Sequence, residues 1–203
     1  MKIFCIGRNY ADHAKELNNP LPEKPVFFMK PDTALLRNNN PFFIPDFSND
    51  LHYEAEIVVK ICRVGKNIRE QFAHRYYKEV AIGIDFTARD LQNECKEKGL
   101  PWEICKAFDY SAPISPFIQL KETGDINSIY FSLDINGKRV QEGNTGNMIF
   151  SVDRIISYLS RFFTLKMGDL IYTGTPAGVG PVKIGDRLRA AIGDKILLDF
   201  MVK

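Results

Sequence analysis

Three carboxylates, Glu54, Glu56 and Asp85, have the types and spacing to hold a metal ion. Glu54 and Glu56 lie two residues apart in Leu51-His52-Tyr53-Glu54-Ala55-Glu56, ahead of the apolar run Ile57-Val58-Val59. That pattern predicts a strand, in which residues i and i+2 share a face. Two like charges on one face repel and need a counter-charge to stay ionised. A hard divalent cation is the simplest one. Asp85 ends a second apolar stretch, Val80-Ala81-Ile82-Gly83-Ile84, and offers a third oxygen. With neither His nor Cys at these places, the donor set favours Mg²⁺ or Mn²⁺ over Zn²⁺.

Other polar residues could serve such a centre. Thr87-Ala88-Arg89-Asp90 has capping-box spacing, with Asp in place of the usual Glu, and predicts a helix opening at Thr87. Gly99-Leu100-Pro101 should end it. On that helix Arg89, Gln92 and Lys96 fall near one face. Arg89 and Gln92 lie within a turn or two of Asp85 and suit a substrate carboxylate, whereas Lys96 reads as a solvated surface residue. His13 and Glu16 are i, i+3 on a short helix, so their side chains can meet. A carboxylate beside an imidazole fixes its tautomer and raises its basicity, which makes a general base for activating water. On these residues alone a surface His–Glu pair is the commoner arrangement. Lys106 follows Trp102 in an apolar stretch and is either snorkelling or desolvated and functional. The glycine-rich run at 174–180 lacks the Gly-Lys-Ser/Thr ending of a phosphate loop. It reads as a tight loop whose backbone can approach a ligand. No G-x-S-x-G supports a serine nucleophile.

The elements that must position these groups follow from periodicity. Strands are expected over 2–7, 26–29, 42–44, 52–62, 80–86 and 170–172. Helices are expected over 9–17, 68–77 and 151–163, the last with a stripe of Ile155, Ile156, Leu159 and Phe162. Pro20, Pro22 and Pro25 break the chain after the first helix. Hairpins are expected to turn at Asn136-Gly137 and near Gly193-Asp194. Many strands with few helices argue for an α+β, β-rich fold rather than a doubly wound sheet.

The chain of 203 residues suits one compact domain over 1–203. Its 45 % hydrophobic and 26 % charged content is ordinary for a globular protein. The net charge of +2, without a long basic block, argues against nucleic acid or a membrane surface as partner. The N-terminal apolar stretch is too short for a signal peptide, and no run is long enough to span a bilayer. Cys5, Cys62, Cys95 and Cys105 form no C-x-x-C pair, so reduced thiols in a cytoplasmic protein are expected.

Several runs together resemble the fumarylacetoacetate hydrolase family. They are Gly7-Arg8-Asn9-Tyr10-Ala11-Asp12-His13, Met29-Lys30-Pro31, His52-Tyr53-Glu54-Ala55-Glu56, Asp85-Phe86-Thr87-Ala88-Arg89-Asp90, Gly99-Leu100-Pro101-Trp102, Lys106-Ala107-Phe108-Asp109, Met148-Ile149-Phe150-Ser151 and Thr173-Gly174-Thr175-Pro176 with Gly178-Val179-Gly180. They span nearly the whole chain in the family's order. The likeness is greatest to the short, single-domain acylpyruvate hydrolases, some of which decarboxylate oxaloacetate.

The resemblance implies a mixed β-sandwich roll with a few short helices, a homodimer, and Mg²⁺ (Mn²⁺ as the other option) held by Glu54, Glu56 and Asp85. It implies that the helix around His13 is a lid, and that His13 and Glu16 form a water-activating dyad. Arg89, Gln92, Lys106 and Thr175 would line the substrate pocket, with Lys106 also adding positive charge beside a developing enolate. Two stretches depart from the family pattern, Asp32 after Lys30-Pro31 and Thr145-Gly146-Asn147, and both are expected to reshape the acyl pocket.

The expected chemistry is cleavage of the C3–C4 bond of small 2-oxo acids. Hydrolysis of an acylpyruvate releases pyruvate and a carboxylic acid. Oxaloacetate reaches the same enolate by losing CO₂, without an attacking water. The nearest rival is an isomerase or tautomerase of oxaloacetate or of a 2-hydroxy-dienedioate on the same fold. That rival needs no water-activating dyad, so His13 and Glu16 argue for the hydrolase. A non-catalytic metal-binding module would leave the dyad and Lys106 without a role.

Overall fold

The structure, a computed structural model, describes residues 1–16 and 20–203. Its main sheet has six strands in the order Val26–Lys30, Ile3–Gly7, Leu170–Tyr172, Ala55–Ile61, Tyr77–Ile84, Ile118–Gln119. Ile3–Gly7 runs parallel to Leu170–Tyr172, and the other pairings are antiparallel. The β-branched runs of Ala55–Ile61 and Tyr77–Ile84 occupy its middle because they are apolar on both faces. Phe4, Ile57, Val59 and Ile82 enter one apolar cluster, while Ile3, Val58, Ala81 and Tyr172 enter a second on the opposite face.

A four-stranded sheet has the order Lys138–Asn144, Tyr130–Ile135, Arg187–Ile192, Lys195–Met201. The first hairpin turns at Asn136-Gly137, where φ is 53° and 82°. Two successive positive φ values match the right-handed twist of the flanking strands. The second hairpin turns at Gly193-Asp194, as expected. A small three-stranded sheet joins Gly180–Pro181, Leu51–Tyr53 and Thr87–Ala88, and it frames the site described below. The helices are α1 (Ala11–Glu16), α2 (Arg89–Lys98), α3 (Glu103–Lys106) and α4 (Val152–Phe162). The architecture is the expected β-rich α+β one. Among the described residues no helix is long and apolar enough to cross a membrane.

Several expectations need correction. The long strand over 52–62 is broken at Glu54, between Leu51–Tyr53 and Ala55–Ile61. The Glu54 carbonyl accepts from Asp85 N–H (2.8 Å) at that break. Residues 42–44 form no strand; Phe42 and Ile44 instead bond to the C-terminal backbone at Met201 and Lys203. The helix over 68–77 is a 3₁₀ segment, Glu70–Tyr76. Thr87 does not open α2: it pairs in the small sheet, and its hydroxyl bonds back to the Asp85 carbonyl, so α2 starts at Arg89. Gly99 closes α2 at φ 65°, as expected. In α4 the Ser151 hydroxyl caps the N-terminus by accepting from Arg154 N–H, and Ile155, Ile156 and Leu159 are buried. Phe162 is not part of that stripe, being 52 % exposed. Leu17 and the start of the proline-rich break lie outside the described residues.

Candidate metal centre and substrate cleft

Glu54, Glu56 and Asp85 converge: one carboxylate oxygen from each lies within 4.8 Å of the others, and all three side chains are buried. Their positions come from the middle of the main sheet. Ala55–Ile61 pairs with Tyr77–Ile84 so that Glu56 lies opposite Gly83, two residues before Asp85. Glu54, at the interruption between the two strands, and Glu56 face one cleft.

Three cations meet two of these carboxylates, Glu54 and Asp85. Lys106 Nζ donates to Glu54 Oε2 and Asp85 Oδ2, both at 2.8 Å. Arg89 Nη2 donates to Glu54 Oε1 at 2.7 Å. Lys30 Nζ lies 2.8 Å from Asp85 Oδ1. Lys30 is held from below by the carbonyls of Phe86 (3.4 Å), Ser111 (3.2 Å) and Lys106, and by the Ser111 hydroxyl (2.9 Å). A fully buried ammonium with that many acceptors is a fixed charge rather than a mobile side chain. The either–or left open for Lys106 is thus decided for burial and pairing.

Glu56 is different. Its one close partner among the described residues is the Gly174 N–H, which donates to Oε2 at 2.7 Å. Burial pushes its carboxyl well above the usual range, and the charges of Asp85 and Glu54 push it further. Glu54 is pulled below the usual range despite its burial, because Lys106 and Arg89 stand beside it. Burial disfavours the Lys106 ammonium, but Asp85 and Glu54 hold it protonated well beyond its ordinary range. A buried carboxylate without its own cation, beside two others, is what a divalent ion would relieve. Three hard oxygen donors suit Mg²⁺ or Mn²⁺. The residues present therefore fit such an ion.

The cleft around the trio is lined by His13, Arg89, Gln92, Lys106 and Thr175, all expected from the sequence, and also by Arg8, Phe28, Lys96 and Trp102. Gln92 Oε1 accepts from Arg89 Nη1 at 2.7 Å and so aims the guanidinium. His13 Nδ1 lies 3.2 Å from Glu16 Oε2, and the Gly178 N–H donates to the Glu16 carboxylate at 3.0 Å. A carboxylate only accepts, so Nδ1 carries the ring proton and Nε2 is left as the base. Thr175 Oγ1 donates to the Ala55 carbonyl and accepts from Gln141 Nε2, both at 2.9 Å. The 174–180 loop thus approaches carboxylates with its backbone, at Glu56 and at Glu16.

Sequence reasoning missed Lys30, Gln141, Arg8 and the cleft position of Lys96. A lysine closing the apolar run Val26-Phe27-Phe28-Met29 was the signal for Lys30. For Lys96 the signal is the i+7 spacing from Arg89, two turns along the same face of α2. Asp32 and the Thr145–Asn147 turn are not among the residues lining this cleft; Asn147 lines a neighbouring depression with Tyr10, Ala11 and Asp12.

Gly174 has φ +103°, and an added Cβ would lie 2.7 Å from Asn9 Cβ and 3.2 Å from the Ile6 carbonyl. Gly174→Ala is expected to cost about 2–4 kcal/mol from overpacking and left-handed strain. That lowers the melting temperature by about 5–12 °C. A thermal melt within 2 °C of the parent protein, on the same scale, would contradict this reading of the loop.

The model of the fumarylacetoacetate (FAA) hydrolase C-terminal family matches residues 2–200. The mitochondrial oxaloacetate tautomerase FAHD1 of Mus musculus is 44 % identical over 201 residues, covering 99 % of this chain and 91 % of that one. The mitochondrial oxaloacetate decarboxylase of Dictyostelium discoideum is 43 % identical over 192 residues, covering 94 % and 88 %. The crystal structure of fumarylpyruvate hydrolase from Pseudomonas aeruginosa in complex with Mn²⁺ and pyruvate superposes with a TM-score of 0.94 at 40 % identity, covering 100 % and 89 %. The chain belongs to the fumarylacetoacetate hydrolase family, whose relatives include tautomerases, decarboxylases and hydrolases of small oxo acids.

Proposed function

We propose that this protein is a divalent-metal-dependent enzyme of small 2-oxo acids that works through an enolate at C3, with oxaloacetate keto–enol tautomerisation as its first activity. The observation that carries this reading is the buried trio Glu54, Glu56 and Asp85, with Glu56 left without a cation, facing a cleft lined by Arg89, Lys106 and His13. The names of the mouse and Dictyostelium relatives support oxaloacetate as the substrate. The Mn²⁺ of the P. aeruginosa structure supports a divalent ion. A bound Mg²⁺ or Mn²⁺ would supply Lewis-acid polarisation of the 2-oxo group.

The residues do the rest. Arg89, aimed by Gln92, pairs with the C1 carboxylate of the substrate. Lys106 keeps its proton and places a fixed positive charge where enolate charge develops. His13 Nε2, backed by Glu16, takes the proton from C3 and hands it to the 2-oxo oxygen in enolisation, and carries it back in ketonisation. The dyad therefore does not exclude tautomerisation, against the expectation drawn from sequence: an imidazole that can deprotonate water can also move a carbon-bound proton.

Cleavage of the C3–C4 bond is the second reading, favoured by the intact His13–Glu16 contact. Decarboxylation of oxaloacetate needs only the enolate-stabilising groups, whereas hydrolysis of an acylpyruvate needs water activation by His13. The family match over 2–200 supports one catalytic domain over 1–203. The family likeness supports a homodimer, which light scattering would test. Four free thiols support a reducing compartment, the cytoplasm in our reading.

The test is ultraviolet absorbance of oxaloacetate enol and of acetylpyruvate, with Mg²⁺ and with excess chelator, and pyruvate release followed in parallel. Chelator-sensitive decay of the enol without pyruvate supports the tautomerase. Pyruvate release from either substrate supports cleavage, and no turnover of either overturns the reading. His13→Ala is expected to slow proton transfer by about 10²–10⁴-fold, while calorimetric Mn²⁺ affinity stays within about twofold of the parent, the usual scatter of such measurements on this scale. Turnover unchanged in that variant would remove His13 from the chemistry.

A further inference from the structure

Of the cations lining the cleft, Arg89 and Lys106 are paired with the buried carboxylates. Arg8 and Lys96 line the same cleft, yet neither has an ion-pair or hydrogen-bond partner among the described residues. Lys30, Arg89 and Lys106 are all engaged with Glu54 and Asp85, and Glu56 faces the position a divalent ion would take. Arg8 and Lys96 are therefore surplus positive charge in a site that faces a substrate.

Arg8 is also held there at a cost. Its φ is 59°, a left-handed conformation that a side-chain-bearing residue rarely adopts. Such strain persists only where the surroundings over-determine it. The next residue supplies that clamp. Asn9 is fully buried, accepts from Phe150 N–H (2.8 Å), and donates to the carbonyls of Phe150 (3.1 Å) and Thr173 (2.7 Å). The clamp fixes the turn that points Arg8 at the cleft. Lys96 reaches the cleft from α2, two turns beyond Arg89 on the same face. Burial, then Arg89 and Arg8, lower its ammonium below the ordinary lysine range, consistent with neighbouring unpaired cations.

We propose that Arg8 and Lys96 form a second anion subsite that binds the distal carboxylate of a dicarboxylic 2-oxo acid and makes the enzyme select diacids over monoacids. The inference rests on the 2-oxo acid reading above and names the substrate class of that site. Two unpaired cations against one carboxylate give charge-assisted hydrogen bonds that a neutral acyl tail cannot make.

The experiment measures kcat/KM for oxaloacetate decay and for acetylpyruvate decay in the Mn²⁺-loaded parent, Arg8→Gln and Lys96→Gln. Calorimetric binding of 2-oxoglutarate and 2-oxopentanoate, a diacid and a monoacid of equal length, is measured on the same proteins. Each variant is expected to lower the diacid-to-monoacid ratio at least tenfold, mostly through KM, and to lower the binding preference in parallel. Arg8→Lys and Lys96→Arg should restore most of it. A merely structural role would depress both substrates alike and leave the ratio unchanged, which overturns the proposal. If the parent turns over neither substrate, the 2-oxo acid reading fails by itself. The calorimetric pair then decides the subsite, and no preference of the parent for the diacid overturns it.

Discussion

Glu56→Gln is expected to weaken Mn²⁺ or Mg²⁺ binding by about 100-fold or more and, at the same time, to raise the melting temperature of the metal-free protein. The two effects have one cause. Glu56 is the member of the trio with no cation of its own, and its carboxyl is pushed up by burial and by Asp85 and Glu54. Glutamine is nearly isosteric and keeps an oxygen for the Gly174 N–H. It therefore removes the like-charge repulsion without leaving that donor orphaned. Relief of about 1–2 kcal/mol corresponds to roughly 2–8 °C for a chain of this size. The same substitution deletes a charged oxygen ligand, so the ion loses what the metal-free protein gains. Calorimetry and thermal melts in chelator read the two halves separately. Unaltered metal binding would end the assignment of Glu56, and a lower melting temperature would contradict the electrostatic account.

Lys106→Met should act with the opposite sign on stability. Lys106 Nζ joins Glu54 and Asp85 at 2.8 Å each, with its side chain 3 % exposed. Removing one partner of a buried ion pair costs about 3–5 kcal/mol, because the remaining charges are left uncompensated. The metal-free variant is expected to melt about 6–20 °C lower. Divalent metal should then raise its melting temperature by more than it raises that of the parent, since the ion takes over part of the lost positive charge. Turnover should fall by at least about 10²–10³-fold, the scale for loss of a fixed charge at a developing anion. Equal thermal shifts on adding Mn²⁺ to variant and parent would show that lysine and metal do not share the same carboxylates.

Much of this centre was legible because its signals are local. An E-x-E at the head of a β-branched run and an aspartate at the end of another are short-range patterns, and sheet pairing brings them together. Helix α2 displayed Arg89 and Gln92 by simple spacing. What was not legible was non-local. The partners of Lys30 come from residues 85–111, and those of Gln141 from Ala55, Thr175 and Pro176. Neither can be read from neighbours in sequence. Lys96, a charged residue late in a helix, reads as solvent-facing from sequence. The structure places it in the cleft because α2 runs alongside the site. The mistaken helix start at Thr87 has a similar origin: its hydroxyl found the Asp85 carbonyl, and its backbone found His52. Phe162 shows the limit of periodicity, which gives the phase of a stripe but not where the neighbouring layer ends.

The strand order of the main sheet carries a further consequence, for how the protein is made. Leu170–Tyr172 lies between Ile3–Gly7 and Ala55–Ile61, so the first strand reaches the strand after Glu54 only through a segment from the last fifth of the chain. The 174–180 loop that bonds to Glu56 and Glu16 follows that same segment. A nascent chain emerging from the ribosome would thus carry every carboxylate of the trio long before the seam between them could be sewn. Its folding is dominated by pairings of high sequence separation, which slows it and delays it until Leu170–Tyr172 has been made. Until then the ribosome-bound chain holds an open seam at the strand edges of Ile3–Gly7 and Ala55–Ile61, which is the stage at which it most needs chaperone protection.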